Sequence, residues 1–554
     1  MFGMMGMARN ALLPRKFRFI IEYADSEPNA IVEMISRSCP SLCGAQAATA
    51  TRWLPSGHAQ TIWSSVADFS EVDKVEYKRK VIMVPDGGIL SIDMAPVSLA
   101  DPAPDDTRPT VVILHGLTGG SHESYVRNCV SKLSKPKEEG GHGMRCVVVN
   151  FRGCANTPLT SAQLYSACKT TDFSSALLLL TRMFPQSPMV AMGFSLGGAI
   201  LAKYMGEAGS HTPLIGAITV GAPLELDTTA KALESTYISM MYAYALGSSL
   251  NALGRKHLDT LALSPDLWDA LEMAFRTKIH PDKKRPVSKY KGRDPKPGTL
   301  RFIDHIITSR VGGLPTPYGS FPYPSADAYY AHSSPLHLLH KVARPMLALN
   351  ADDDPVVPHS TLQHMIKNIQ SSPNVVLAHS RCGGHLGWFA GPSGERWIYQ
   401  PIGEFVDALC DTFAQHASKN NQGLGSGGPR MSPWKTGCID KRMVQVELLP
   451  VSALPSILGQ QSTTTATTPD NEPIMPWLKT HVLKHMPLVH PKDSPRATEQ
   501  VPEGEILSLP LYSESLHPEV GYIELPVSVS TGGNGSVISA DASAVTTAKE
   551  ITGL

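Results

Sequence analysis

The stretch from Met189 to Met205 constrains the fold more than any other. It opens with the apolar run Met189-Val190-Ala191-Met192, passes through Gly193-Phe194-Ser195-Leu196-Gly197-Gly198, and continues into Ala199 to Met205, a segment that can be helical. A serine with glycine two residues to either side, set between a strand and a helix, predicts a sharp turn that lifts the hydroxyl above the end of a sheet. A Cβ at Gly193 or Gly197 would collide where the strand and helix approach. A helix starting at Leu196 also aims its free amides at any anion formed beside Ser195.

The same strand-then-helix pattern recurs along the chain. Continuous apolar runs lie at Val111 to Leu114, Cys146 to Val149, Ile215 to Val220, Met346 to Leu349 and Val375 to Leu377, with helical stretches such as Tyr125 to Leu133 and Asp172 to Met183 between them. Such runs predict an α/β class: a mostly parallel sheet with helices on both faces. Upstream, Lys80 to Val84, Asp86-Gly87-Gly88 and Ile89 to Met94 alternate as a hairpin that adds an antiparallel edge.

Between Leu224 and Pro345 the alternation lapses. Helix-like stretches near Thr228 to Leu246 and Ser264 to Thr277 predict a helical cap insertion over about residues 224–340. Its basic cluster, Asp282-Lys283-Lys284-Arg285 followed by Lys289, Lys291, Arg293 and Lys296, reads as a solvated loop. Beyond about Gln415 the linker composition of 418–429 and the low complexity of 462–469 predict a largely disordered C-terminal tail over 416–554, with short segments lying back on the domain. The expected organisation is a weakly structured or targeting segment over 1–50, a catalytic domain over 51–415, and that extension.

Composition excludes several partner classes. Lys+Arg and Asp+Glu both number 49, so no net field recruits nucleic acid or an anionic membrane. Nine scattered cysteines, an odd count without regular spacing, predict unpaired thiols and a reducing, intracellular compartment. Cys39 and Cys43 have no partner pair at zinc spacing, so neither a metal nor another cofactor is expected. No run of about eighteen apolar residues predicts a transmembrane helix. The first twenty-one residues carry Arg9, Arg15, Lys16 and Arg18 and no acid before Glu22. A mitochondrial-type transit segment, an interfacial anchor and a loosely ordered terminus all fit that composition. Cytoplasmic, mitochondrial and peripheral membrane or lipid-droplet locations stay open.

A serine hydroxyl needs a base to take its proton and a third group to orient that base. On sheets of this kind the chain order is serine, acid, histidine. After Met346 to Asn350 come Asp352, Asp353 and Asp354. Asp354 is the expected acid, because the following Pro355-Val356-Val357-Pro358 turn would hold its carboxylate over the sheet; Asp353 is the reserve. The expected base is His385, in the turn Gly383-Gly384-His385-Leu386-Gly387 after the next strand, while His379 belongs to that strand. The amides of Leu117 and Leu196 are the expected oxyanion donors. His115 is expected to be a buried orienting residue, and Phe194 and Trp388 to line an acyl pocket.

With these residues in place the chain resembles the α/β-hydrolase superfamily. More narrowly, it is similar to the subfamily of YheT-type hydrolases, membrane-associated abhydrolase-domain phospholipases and yeast medium-chain ethyl ester synthases. The likeness rests on Trp53-Leu54-Pro55-Ser56-Gly57-His58 with Gln60-Thr61, on His115 to Gly120, on Asn150-Phe151-Arg152-Gly153-Cys154, and on Gly193 to Gly198. Tyr329-Tyr330 before Ser333-Ser334-Pro335-Leu336, Asp353-Asp354-Pro355 and Gly383 to Gly387 complete it, covering about residues 51–415. The resemblance implies the α/β-hydrolase fold and a triad of Ser195, Asp354 and His385 acting through an acyl-enzyme. The implied substrate is an acyl ester or acyl thioester of lipid or medium-chain type, and the acceptor is water or a small alcohol. A catalytically silent scaffold is the rival reading. Dehalogenation on the same fold needs an acid at position 195, which the serine excludes.

Overall fold

The computed structural model describes residues 16–421, apart from 25–28, 85, 104, 288 and 314–319, together with short C-terminal strands at 443–447, 488–489, 508–512, 522–525, 528–530 and 537–539. Residues 1–15, with Arg9 and Arg15, most of the tail, and Cys438 lie outside the described residues. The other eight cysteines are free thiols.

The strands are β1 (Phe19–Glu22), β2 (Lys78–Met83), β3 (Ile89–Ala95), β4 (Thr110–Leu114), β5 (Arg145–Asn150), β6 (Met189–Phe194), β7 (Leu214–Val220), β8 (Met346–Ala351), β9 (Val375–Ser380) and β10 (Ile523–Leu525). They form one sheet in the order β1-β9-β8-β7-β6-β4-β5-β3-β2-β10. The six strands from β4 to β9 run parallel, and β1, β2, β3 and β10 add antiparallel edges. The order reverses beside β4: β5 lies on one side of it and β6 on the other, which opens a crevice at their carboxyl ends.

Alternate side chains of each inner strand feed two cores. Val111 and Ile113 point to one face with Val190, Met192 and Phe194. Val112 and Leu114 point to the other with Met189 and Ala191. On the first face pack α1 (Ala30–Ser38), α3 (Ser124–Ser134) and α11 (Tyr399–Asn421). On the second pack α4 (Thr171–Met183), α5 (Leu196–Ala208) and α10 (His359–Ile369). Leu177, Leu179 and Leu180 of α4 are at most 1% exposed. Each such leucine stabilises the fold by about 2 kcal/mol relative to exposure.

Between β7 and β8 lie α6 (Leu226–Leu233), α7 (Tyr237–Lys256), α8 (Trp268–Phe275), a helix over 300–311 whose middle turn Asp304–Thr308 is π-wound, and α9 (Ala326–Ser333). The expected single helix from Thr228 to Leu246 is two: the first ends at Leu233 with Glu234 as its C-cap, and Thr236 caps the second by accepting from the Ser239 amide at 3.1 Å. The expected helix from Ser264 opens as a 3-10 turn, Pro265–Leu267, and Ser264 makes no side-chain cap. Lys283, Lys284 and Arg285 are exposed.

The described residues among 16–50, part of the segment 1–50 expected to be weakly structured or targeting, are built into the domain. Phe17 is 0% exposed and stacks on Trp397, β1 pairs with β9, and Ile31 and Ile35 of α1 enter the core. Their partners lie more than 300 residues away in sequence, so local patterning carries no sign of them. No helix among the described residues is long and apolar enough to cross a membrane.

Candidate active site

Ser195 stands between β6 and α5 with φ 48° and ψ −118°, a conformation non-glycine residues rarely adopt. The surroundings hold it there: its amide donates to Val220 O at 2.8 Å, and its carbonyl accepts from Gly198 at 2.9 Å. A Cβ on Gly193 would sit 2.4 Å from Gly197 O, and one on Gly197 would sit 2.4 Å from His115 O. Both contacts are with backbone that cannot swing aside, so glycine is obligatory on each side of the serine.

Three consecutive acids end β8, and each has a different task. Asp352 pairs with His379 Nδ1 at 2.6 Å. Asp353 accepts from the Gly384 amide at 2.9 Å. Asp354, with a fully buried side chain, accepts from the Val356 and Val357 amides at 2.7 and 2.9 Å through one oxygen, and its other oxygen meets His385 Nδ1 at 2.8 Å. His385 Nε2 lies 2.9 Å from Ser195 Oγ. Proton transfer from Ser195 to Nε2 therefore needs no rearrangement, and Asp354 favours the imidazolium that results.

The loop after β4 approaches from the other side of the crevice, and a Cβ on Gly116 would sit 3.5 Å from Ser195 Cβ. Tyrosine hydroxyls occupy two of its amides: Gly116 donates to Tyr125 Oη at 3.0 Å and Thr118 to Tyr165 Oη at 2.8 Å. Leu117 lies between them, engaged by neither hydroxyl. His115 is 0% exposed, and burial pulls its pKa down to about 4. The Phe151 amide donates to its Nε2 at 3.1 Å, so the proton sits on Nδ1 and faces Gly116 O at 2.8 Å. This imidazole is neutral, has both nitrogens occupied, and braces the loop.

Phe194 and Trp388 do not stand where an acyl pocket would need them. Both are 0% exposed within the core on the α3 and α11 face of the sheet. Phe194 shares strand parity with Val190 and Met192, which turns its ring away from the cap and against Tyr125 at 4.9 Å. Trp388 donates from Nε1 to Ser380 Oγ at 3.0 Å, below the histidine loop. Partly buried Leu117 and Leu196 face the cap side instead, and Leu196 also packs against a cluster containing Leu226, Ala230, Phe321, Tyr329 and Tyr330.

One helix contributes more than the sequence suggested. α2 (Gly57–Val66) grips the histidine loop through three side chains. Thr61 Oγ1 accepts from the His385 amide at 2.8 Å, Gln60 Oε1 accepts from Phe389 at 3.1 Å, and Ser64 Oγ donates to Leu386 O at 3.2 Å. A Cβ on Gly57 would sit 1.8 Å from Asp353 O, so only glycine lets the helix start this close to the acid loop. Arg396, buried over the Phe389 ring, also donates to Leu386 O and to Ser64 Oγ. In the sequence Gly57, Gln60 and Thr61 stood only among the residues that carry the family resemblance, with no role attached.

An open groove of about 710 Å³, lined by Pro96, Arg108, Lys135 and Lys137 among others, lies by the amino-terminal end of β5, away from Ser195. It holds none of these groups.

The sequence profile described as alpha/beta hydrolase fold matches residues 109–392. A monoacylglycerol lipase of Saccharomyces cerevisiae is 32% identical over 416 residues, covering 69% of this chain and 85% of its own. The phospholipase ABHD3 of Homo sapiens is 29% identical over 364 residues, covering 65% and 78%. The medium-chain fatty acid ethyl ester synthase/esterase 2 of S. cerevisiae is 24% identical over 426 residues, covering 67% and 88%.

Proposed function

The chain belongs to the α/β-hydrolase family, and from that premise we propose that it cleaves carboxylic esters of lipid or medium-chain type through a Ser195 acyl-enzyme. The observation that carries the reading is the continuous contact Ser195 Oγ, His385 and Asp354 at 2.9 and 2.8 Å, with the serine in its strained turn. Ser195 Oγ attacks the acyl carbon while His385 Nε2 takes its proton. The tetrahedral oxyanion is met by the amides of Leu117 and Leu196. The intermediate collapses, His385 returns the proton to the departing alcohol, and the acyl group stays on Ser195. Water then attacks the acyl-enzyme as His385 takes its proton, and collapse breaks the Ser195 ester, releasing the acid while His385 returns that proton to Ser195 Oγ. The exposed parts of Leu117 and Leu196 and the apolar cap cluster behind them favour a fatty acyl chain.

A second reading has an alcohol replace water in the last step, giving an ester by acyl transfer. The ethyl ester synthase/esterase among the relatives favours keeping it. In both readings the catalytic unit spans about 51–415 together with the edge strand and helix that precede it.

Fluorophosphonate labelling is expected for the wild-type chain and absent in Ser195→Ala. Labelling that survives the substitution overturns the assignment. Incubation of p-nitrophenyl octanoate with and without ethanol separates the two readings: octanoic acid alone supports hydrolysis, and ethyl octanoate supports transfer.

A further inference from the structure

The cap helix α7 carries a stripe of large side chains that nothing in the described residues covers. Tyr237 is 98% exposed, Ile238 58%, Met241 71% and Tyr244 43%. On α2, Ile62 is 51% and Val66 72% exposed. The two helices meet at a contact in which His58 Nδ1 and Tyr242 Oη lie 2.8 Å apart and the rings stack. Ile238 lies one turn before Tyr242, and Ile62 and Val66 lie one and two turns beyond His58, so both stripes start from that contact. The contact is close to the proposed site, because α2 starts against Asp353 and holds the His385 amide through Thr61.

A segregated positive charge lies in the loop that leads back to the same helix. Residues 283–296 hold seven Lys and Arg against one acid, Asp294, in a chain whose charges balance only over its whole length. Lys283, Lys284, Lys289, Lys291, Arg293 and Lys296 are exposed. This loop returns to α7 at Gly298, where a Cβ would sit 3.5 Å from the Tyr244 ring. Zero net charge therefore hides a local basic patch beside an apolar stripe, the pairing that holds an amphipathic helix at a lipid interface.

We propose that α7, with the exposed side of α2 and the basic loop over 283–296, docks the protein on an anionic lipid surface. Docking there presents the site's edge to esters held in the membrane. The docking surface goes beyond the hydrolase reading, and lipid binding can be measured without turnover.

The test is co-sedimentation of the full chain with sucrose-loaded vesicles of phosphatidylcholine, with and without about one-third phosphatidylserine. The wild type and Ser195→Ala should bind the anionic vesicles equally and lose that binding as salt rises. Tyr237→Ser, Ile238→Ser and Met241→Ser combined should weaken binding at least tenfold while leaving turnover of soluble p-nitrophenyl butyrate within about twofold. Lys283→Gln with Lys284→Gln should weaken binding to anionic vesicles about twenty-five-fold, at roughly fivefold per lysine, and leave binding to neutral vesicles unchanged. Equal binding of all variants overturns the proposal. So does a wild-type dimer in size-exclusion chromatography that the serine variant breaks with no vesicle binding, which would assign the face to a second copy.

Discussion

Two histidine–aspartate pairs sit at neighbouring strand ends, and by their own geometry they are nearly the same. His385 Nδ1 meets Asp354 at 2.8 Å, and His379 Nδ1 meets Asp352 at 2.6 Å. The difference lies at the far nitrogen. Nε2 of His385 faces the hydroxyl of Ser195 at 2.9 Å, whereas Nε2 of His379 faces the Glu22 carboxylate at 3.8 Å, from the edge strand β1. A carboxylate opposite the ring offers no proton to accept and nothing to activate. An oriented imidazole is thus common property of this sheet end, and a nucleophile in reach of it is what separates chemistry from structure.

Substitution of the two rings is the sharpest way to break that contrast. His385→Ala should lower kcat/KM by about four orders of magnitude or more, and His379→Gln should leave it within about threefold, measured on p-nitrophenyl octanoate. Comparable losses would mean that the pairs are not functionally distinct. Next come the acids. Asp354→Asn keeps the shape but fixes the wrong tautomer, for an expected fall of about 10⁴ in kcat. Asp352→Asn should change kcat little and show instead as a small drop in melting temperature.

The third contrast concerns support. Thr61 serves only the working pair, by accepting from the His385 amide. Thr61→Val leaves that donor unmet, at a cost of about 1–3 kcal/mol. A roughly tenfold lower kcat with KM unchanged would mark displacement of the base, and a change in stability alone would confine Thr61 to a structural role. The smallest effect belongs to a histidine with no carboxylate at all. The folded pKa of His115 lies near 4, below the ordinary 6.5, because burial penalises its charged form. A depressed value means that the stability is fully present above pH 6.5 and is lost as pH falls toward and through 4. The loss is about 1 kcal/mol by pH 5.5. Thermal unfolding at pH 8 and pH 5.5 should show it in the wild type and a smaller shift in His115→Gln.

Much of this was legible in the chain itself. The inner strands and their helices announced themselves because both faces of the sheet are buried and the runs are continuous. Ser195, the acids 352–354 and His385 were readable as candidates from their strand-end positions, and Asp354 is the acid that meets His385 in the structure. Phe194 and Trp388 were misplaced because apolarity alone does not say which face a side chain takes. For Phe194, counting parity back through Met192 and Val190 would have sent it away from the cap. The gripping role of α2 was not readable, since Gln60, Thr61 and Ser64 bond to residues more than 320 positions away. Net charge sums over the chain and cannot register that seven cations share one loop, which the local composition did show.

The outermost strands of the sheet, β1 and β10, come from far-apart stretches of the chain, before residue 51 and after residue 415. A protein trimmed to residues 51–415 would keep all three proposed reacting groups and still uncover the rims of β9 and β2. Each rim is a bare row of amides and carbonyls that a neighbouring molecule can zip onto. The flanking sequence thus covers both rims of the sheet, a protection that a map of reacting groups does not contain.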